Sequence, residues 1–145
     1  MKILIVFVST LLLLNLSNCI SQQHNSSEEQ KIAILTNFFT QYLNEIASSN
    51  QPVLTEHRLD SLKKIYCTTN LLNEIPKLIE QTETDPIIKA QDSNRGNAKT
   101  LSIRKEPGKT DTYDVSYVDE YDKLVRTIHL TVTDENGLIK ISSLW

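Results

Sequence analysis

Asp85 and Asp92 flank a short segment, and directed into one cavity they would place two carboxylates where acid/base chemistry needs them. Both also have a simpler structural account. Asp85 before Pro86 reads as a helix cap with proline at the first helical position, and Asp92 suits an Asx-type turn. Arg126 is the third polar oddity, because it interrupts the apolar parity of Leu124, Ile128, Leu130 and Val132. It either points inward to a buried acid or snorkels at a sheet edge, and snorkelling is the plainer expectation. Tyr66, Tyr113, Tyr117 and Trp145 offer aromatic surface suited to an interface, although most of them sit at core parity. Asp85, Asp92, Arg126 and Tyr66 are therefore the candidate lining of a cavity, with no catalytic role assigned to any residue.

Other chemistries find less support. Three scattered glycines, Gly96, Gly108 and Gly137, make no phosphate-binding loop. His24, His57 and His129 stand far apart, without the spacing of a metal site, and His129 falls on the polar face of its strand as a solvated side chain. Cys67 has Lys63 and Lys64 nearby but no evident base, so it reads as a small buried hydrophobe. No nucleophile-elbow pattern is present, and no cofactor is expected.

The N-terminus says where the chain goes. Lys2 leads the apolar run Ile3 to Val8 and Leu11 to Leu14, and small or polar residues follow. This order is that of a secretory signal, and the run is short of the ~20 residues that span a bilayer. Leu16-Ser17-Asn18-Cys19 resembles the bacterial lipobox, with Asn18 where Gly, Ala or Ser is usual, so Cys19 is the expected lipid acceptor. Residues 1–18 are then the signal peptide, 19–27 a polar tether and 28–145 a single domain. A flexible tether of that length reaches roughly 15–18 Å. The competing outcome is a soluble periplasmic or secreted protein in which Cys19 pairs with Cys67. Loss of the signal removes Lys2 and no acid, so 15 basic residues become 14 against 18 acidic ones, a net of −4. A mildly acidic domain without a Lys/Arg cluster is not expected to bind nucleic acid.

The elements that must position these residues follow from periodicity. Ser27-Glu28-Glu29-Gln30 fits a capping box, and Ile32, Leu35, Phe39, Tyr42 and Ile46 recur at helical steps, with Phe38 and Leu43 widening the stripe. Thr55 is the expected cap of a second helix with Leu59, Leu62, Ile65 and Tyr66 on its apolar face. Thr68 or Thr69 starts a third, with Leu72, Ile75 and Ile79 on one side and Pro76 expected to kink or split it. After Gly96 the period becomes two. Leu101 and Ile103, then Tyr113, Val115 and Tyr117, then Leu124 to Val132, then Ile139 and Ile141 mark four strands. Glu106-Pro107-Gly108-Lys109 suits a type II turn and Asp134-Glu135-Asn136-Gly137 a hairpin. The expected fold is α+β: N-terminal helices packed on a four-stranded antiparallel meander.

Leu62 to Thr68, the Leu71-Leu72 that follows, Asp85-Pro86 leading to Ala90-Gln91-Asp92, and the strand-rich C-terminal half resemble the DUF3828 family of small bacterial exported or lipoprotein domains. The resemblance covers most of residues 30–145. It implies a cystatin-like or NTF2-like shape and names no catalytic residues. The expected function is a non-enzymatic envelope lipoprotein, anchored through Cys19 to the outer membrane if the cell is Gram-negative. Its domain would bind another envelope or secreted protein, an inhibitor or immunity type included. The alternative is a small-ligand binder or enzyme using a cavity between the first helix and the sheet.

Overall fold

The computed structural model describes residues 27–48 and 51–145. The expected signal, the lipobox with Cys19 and nearly all of the tether lie outside the described residues. Residues 34–145 form one compact unit, and residues 27–33 belong to a separate N-terminal unit and are helical. Helix α1 covers residues 27–47, α2 covers Pro52–Tyr66 and α3 covers Thr69–Thr82. The strands are β1 (Ser102–Lys105), β2 (Thr112–Val118), β3 (Val125–Glu135) and β4 (Leu138–Leu144), antiparallel and adjacent in chain order. Three helices packed on a four-stranded antiparallel meander give the α+β fold that the change of period implied.

The core is built from the expected stripes. Leu35, Phe38, Phe39, Tyr42 and Leu43 of α1 are buried, as are Tyr113, Val115 and Tyr117 of β2, Ile128, Leu130 and Val132 of β3, and Ile141 of β4. The Phe38 ring meets Phe39 edge-on at 5.1 Å and lies 5.1 Å from Tyr66. Both turn signals act as their residues require. Gly108 has φ 76° and Lys109 donates to the Glu106 carbonyl, closing the type II turn. Asn136 and Gly137 both have positive φ, the two-residue geometry that matches strand twist.

Several local expectations are corrected. Ser27 is itself helical, so the helix does not begin with it as a cap. Helix α2 starts at Pro52 rather than after Thr55: proline has no N–H to leave orphaned in a first turn, and the Thr55 amide already bonds to the Gln51 carbonyl at 3.0 Å. Pro76 does not split α3. It is exposed, and the carbonyl left unpaired by its missing N–H can meet water. Ile79 is exposed, and α3 instead turns Leu71 inward. Thr68 does cap α3, its hydroxyl accepting from the Leu71 amide at 3.3 Å. The expected apolar face of α2 contributes no buried residue, and Leu124 is exposed ahead of β3.

Candidate functional site

Asp85 and the residues after it form a turn rather than a helix. Asp85 Oδ1 accepts from the Ile87 amide at 2.8 Å, and the Asp85 and Ala90 backbones pair in an isolated bridge. The turn drives Ile87 and Ile88 into the core. Asp85 Oδ2 accepts from the Tyr42 hydroxyl at 2.7 Å, and the Tyr117 hydroxyl donates to the Ile88 carbonyl at 2.7 Å. Burial pushes the Asp85 carboxyl up from its ordinary value, with the bonds from Tyr42 and Ile87 acting the other way. Asp85 is thus committed to holding the turn.

Beyond this turn the chain forms one wall of a cleft of about 500 Å³, whose other wall is the β2–β3 connection. Asp92, Ser93 and Asn94 line the first wall, Asp119, Tyr121 and Asp122 the second, with Arg126, Thr84, Lys89, Ala90 and Gln91 completing it. Among the expected residues, the cleft unites Asp92 and Arg126. Asp85 is not in its lining. Tyr66 lies elsewhere, its ring on Phe38 and its hydroxyl accepting from Asn37 Nδ2 at 2.8 Å. The cleft also lies away from the expected position between α1 and the sheet, because the aromatic residues of α1 fill that space.

Arg126 does not snorkel. Tyr117 is its cross-strand partner, so it stands on the helix-covered face, and its guanidinium reaches the buried Asp119 at 3.2 Å and also Asp122. Both acids are otherwise engaged: Asp119 Oδ1 accepts from the Tyr121 amide and Asp122 Oδ1 from the Leu124 amide. These carboxylates cinch the connection and fix Arg126. Arg126 Nη1 has no partner among the described residues. Asn97 ties the two walls together, its Nδ2 donating to Ser93 Oγ at 3.3 Å and its Oδ1 accepting from the Glu120 amide at 3.0 Å. Gly96 beside it is buried against Glu120, where a Cβ would collide with the carboxylate.

Sequence reasoning missed Asn97, Asp119, Tyr121 and Asp122, which sit between the periodic segments. The Asp-x-x-Asp spacing ahead of Arg126 is the one signal that pointed to the ion pairs, since Asp122 and Arg126 are four residues apart.

An apolar recess of about 250 Å³ adjoins the cleft and shares Thr84 and Lys89 with it. Leu78, Pro86, Leu144 and Trp145 supply its apolar wall. The sheet face away from the helices carries a transverse row, Arg104, Asp114, His129 and Trp145, one from each successive chain segment. His129 Nδ1 lies 2.7 Å from Asp114 Oδ1, and the Trp145 ring stacks on the imidazole at 6.1 Å. His129 is thus partnered rather than merely solvated. Cys67 is a buried free thiol, pushed up to about 12 by burial. Among the described residues there is no group of three or more side chains able to hold a metal ion.

The architecture defines the chain as an α+β domain of helices on an antiparallel meander. It is similar to the crystal structure of a protein of unknown function from Bacteroides thetaiotaomicron VPI-5482, with 25% identity, a TM-score of 0.78, and coverage of 86% of this chain and 95% of that one. No family model and no curated protein matches it.

Proposed function

We propose that the protein is a non-enzymatic envelope lipoprotein, related to the DUF3828 domains, whose domain binds another envelope or secreted protein through α2. One observation carries this reading: no residue of this 15-residue helix is fully buried, Leu59, Leu62 and Tyr66 are half-buried, and Val53 (72% exposed), Leu54 (43%) and Ile65 (59%) face solvent. Helices of this length are marginal in water and normally persist by burying an apolar stripe. Here the holding contacts come from the middle of the helix and its C-terminal end. Arg58 pairs with Glu45 at 2.9 Å, Tyr66 packs on Phe38, and the Lys140 ammonium bonds the Ile65 carbonyl near the helix C-terminus. Val53 and Leu54 in the first turn of α2 and Ile65 in the last are left as surface, and exposed apolar groups suit a partner. The pairing of Asp119 and Asp122 with Arg126 in the cleft supports binding over catalysis.

Cys19 is the anchor in this reading, and no helix among the described residues is long and apolar enough to cross a membrane. Labelling with a fatty-acid analogue marks the wild type and not Cys19→Ser; equal labelling of both refutes the anchor. Ile20 after the cysteine fits outer-membrane sorting in a Gram-negative cell. The binding surface is tested by a photo-crosslinking residue at position 53 or 65 in the membrane-bound chain, with exposed Thr110 as control. A discrete protein adduct from α2 alone supports the proposal. Equal or absent adducts from all three positions overturn it.

A further inference from the structure

The polar cleft carries an inference that concerns a different face and does not rest on α2. We propose that the cleft and its adjoining apolar recess bind a neutral saccharide. The first argument is the balance of unused hydrogen-bonding atoms. Arg126 Nη1 and the Lys89 ammonium are donors without a partner among the described residues, and Asn94 uses only Oδ1, on the Gly96 amide. Asp92 uses one oxygen, on the Ser93 amide, and leaves the other as an acceptor. Donors and acceptors on one cleft match hydroxyl groups, each of which both donates and accepts.

Charge is the second argument. Lys89 and Arg126 face Asp92, Asp119 and Asp122, so an anion gains nothing from the overall field. A cation finds Asp119 and Asp122 already spent on Arg126 and on backbone amides. A neutral, hydroxylated ligand is what remains.

Shape is the third. Tyr121 stands at the cleft with 94% of its surface exposed, and Trp145 stands at the recess with 49% exposed. The Tyr121 ring offers a flat apolar face of the kind that orients a ring in a polar site, while the Trp145 ring is stacked on His129 and edges the recess. Volumes of about 500 and about 250 Å³, joined at Thr84 and Lys89, accommodate more than one sugar ring. The guanidinium is already fixed by two carboxylates and the walls by Asn97, so little ordering remains to be done on binding.

Trp145 is the single tryptophan, which makes its fluorescence a direct report from the recess. The full chain carrying Cys19→Ser is titrated with maltose, cellobiose and lactose, with glucuronate and octanoate as counter-probes. Amide shifts of residues 84–94 and 119–126 are followed in parallel. At least one disaccharide is expected to saturate both signals, and Lys89→Ala and Tyr121→Ala each to weaken it roughly fivefold to tenfold. Neither side chain makes a hydrogen bond among the described residues, so both variants keep the wild-type melting temperature. No saturable response to any of the three disaccharides at tens of millimolar overturns the proposal. Tighter binding of glucuronate or octanoate, or unchanged affinity in both variants, overturns it equally.

Discussion

The Tyr42 hydroxyl donates a 2.7 Å hydrogen bond to Asp85 Oδ2, fastening the middle of α1 to the turn at residues 85–90. The other Asp85 oxygen holds the Ile87 amide, so one carboxylate joins the longest helix to the segment that leads into the cleft. The bond is structural, and it makes the carboxyl sensitive to pH.

Burial raises the Asp85 pKa above the ordinary value of about 3.9. The folded state therefore holds this proton more tightly than the unfolded state. The contribution is fully present below the unfolded pKa and is lost as pH rises through the higher folded value. Asp85→Asn keeps the size and a hydrogen-bonded contact with Tyr42, so its effect at neutral pH is expected to lie within about 1 kcal/mol. Wild-type stability relative to Asp85→Asn should fall between about pH 4 and the folded pKa. Denaturation of both proteins across this range checks it, and a difference independent of pH would refute the buried carboxyl.

Phe39 is completely buried in the α1 stripe, so Phe39→Ala removes ring contacts and leaves a cavity that the surrounding core cannot fully close. The expected cost is about 3–5 kcal/mol, read from a chemical denaturation midpoint. A midpoint close to wild type would place the stripe outside the core.

Asp119 and Arg126 form a coupled pair. Arg126→Met leaves the buried Asp119 with only its Tyr121 amide, at a cost of about 1–3 kcal/mol. Asp119→Asn in the same chain should recover part of that loss, and a double-mutant cycle measures the coupling. Strict additivity would mean that the contact contributes nothing.

The Cys67 thiol, pushed up to about 12 by burial, has almost no thiolate at neutral pH. In a Cys19→Ser chain, iodoacetamide should leave the folded protein unlabelled and label it once denatured. Rapid labelling of the native state would contradict the buried position.

The elements and their order were legible in the sequence because each rests on local rules: helical steps in α1, period two after Gly96, and positive-φ residues at Gly108 and Asn136-Gly137. The cap at Thr68 was legible for the same reason, since its hydroxyl and the Leu71 amide are only three residues apart, whereas Asp85, expected to cap a helix, holds the Ile87 amide of a turn. The cleft was not. Asn97 reaches Ser93 on one wall and Glu120 on the other, and Arg126 stands opposite Tyr117 only because β2 and β3 pair in that register. Nor did the pattern of α2 show that Ile65 stays in solvent and that Leu59 and Leu62 are only half covered, because the room over the sheet is taken by the aromatic side chains of α1. Local spacing determined which elements form, by backbone sterics and hydrogen-bond reach. Which polar groups meet, and which apolar ones find no cover, depends on contacts between distant segments, and only the tertiary structure decided them.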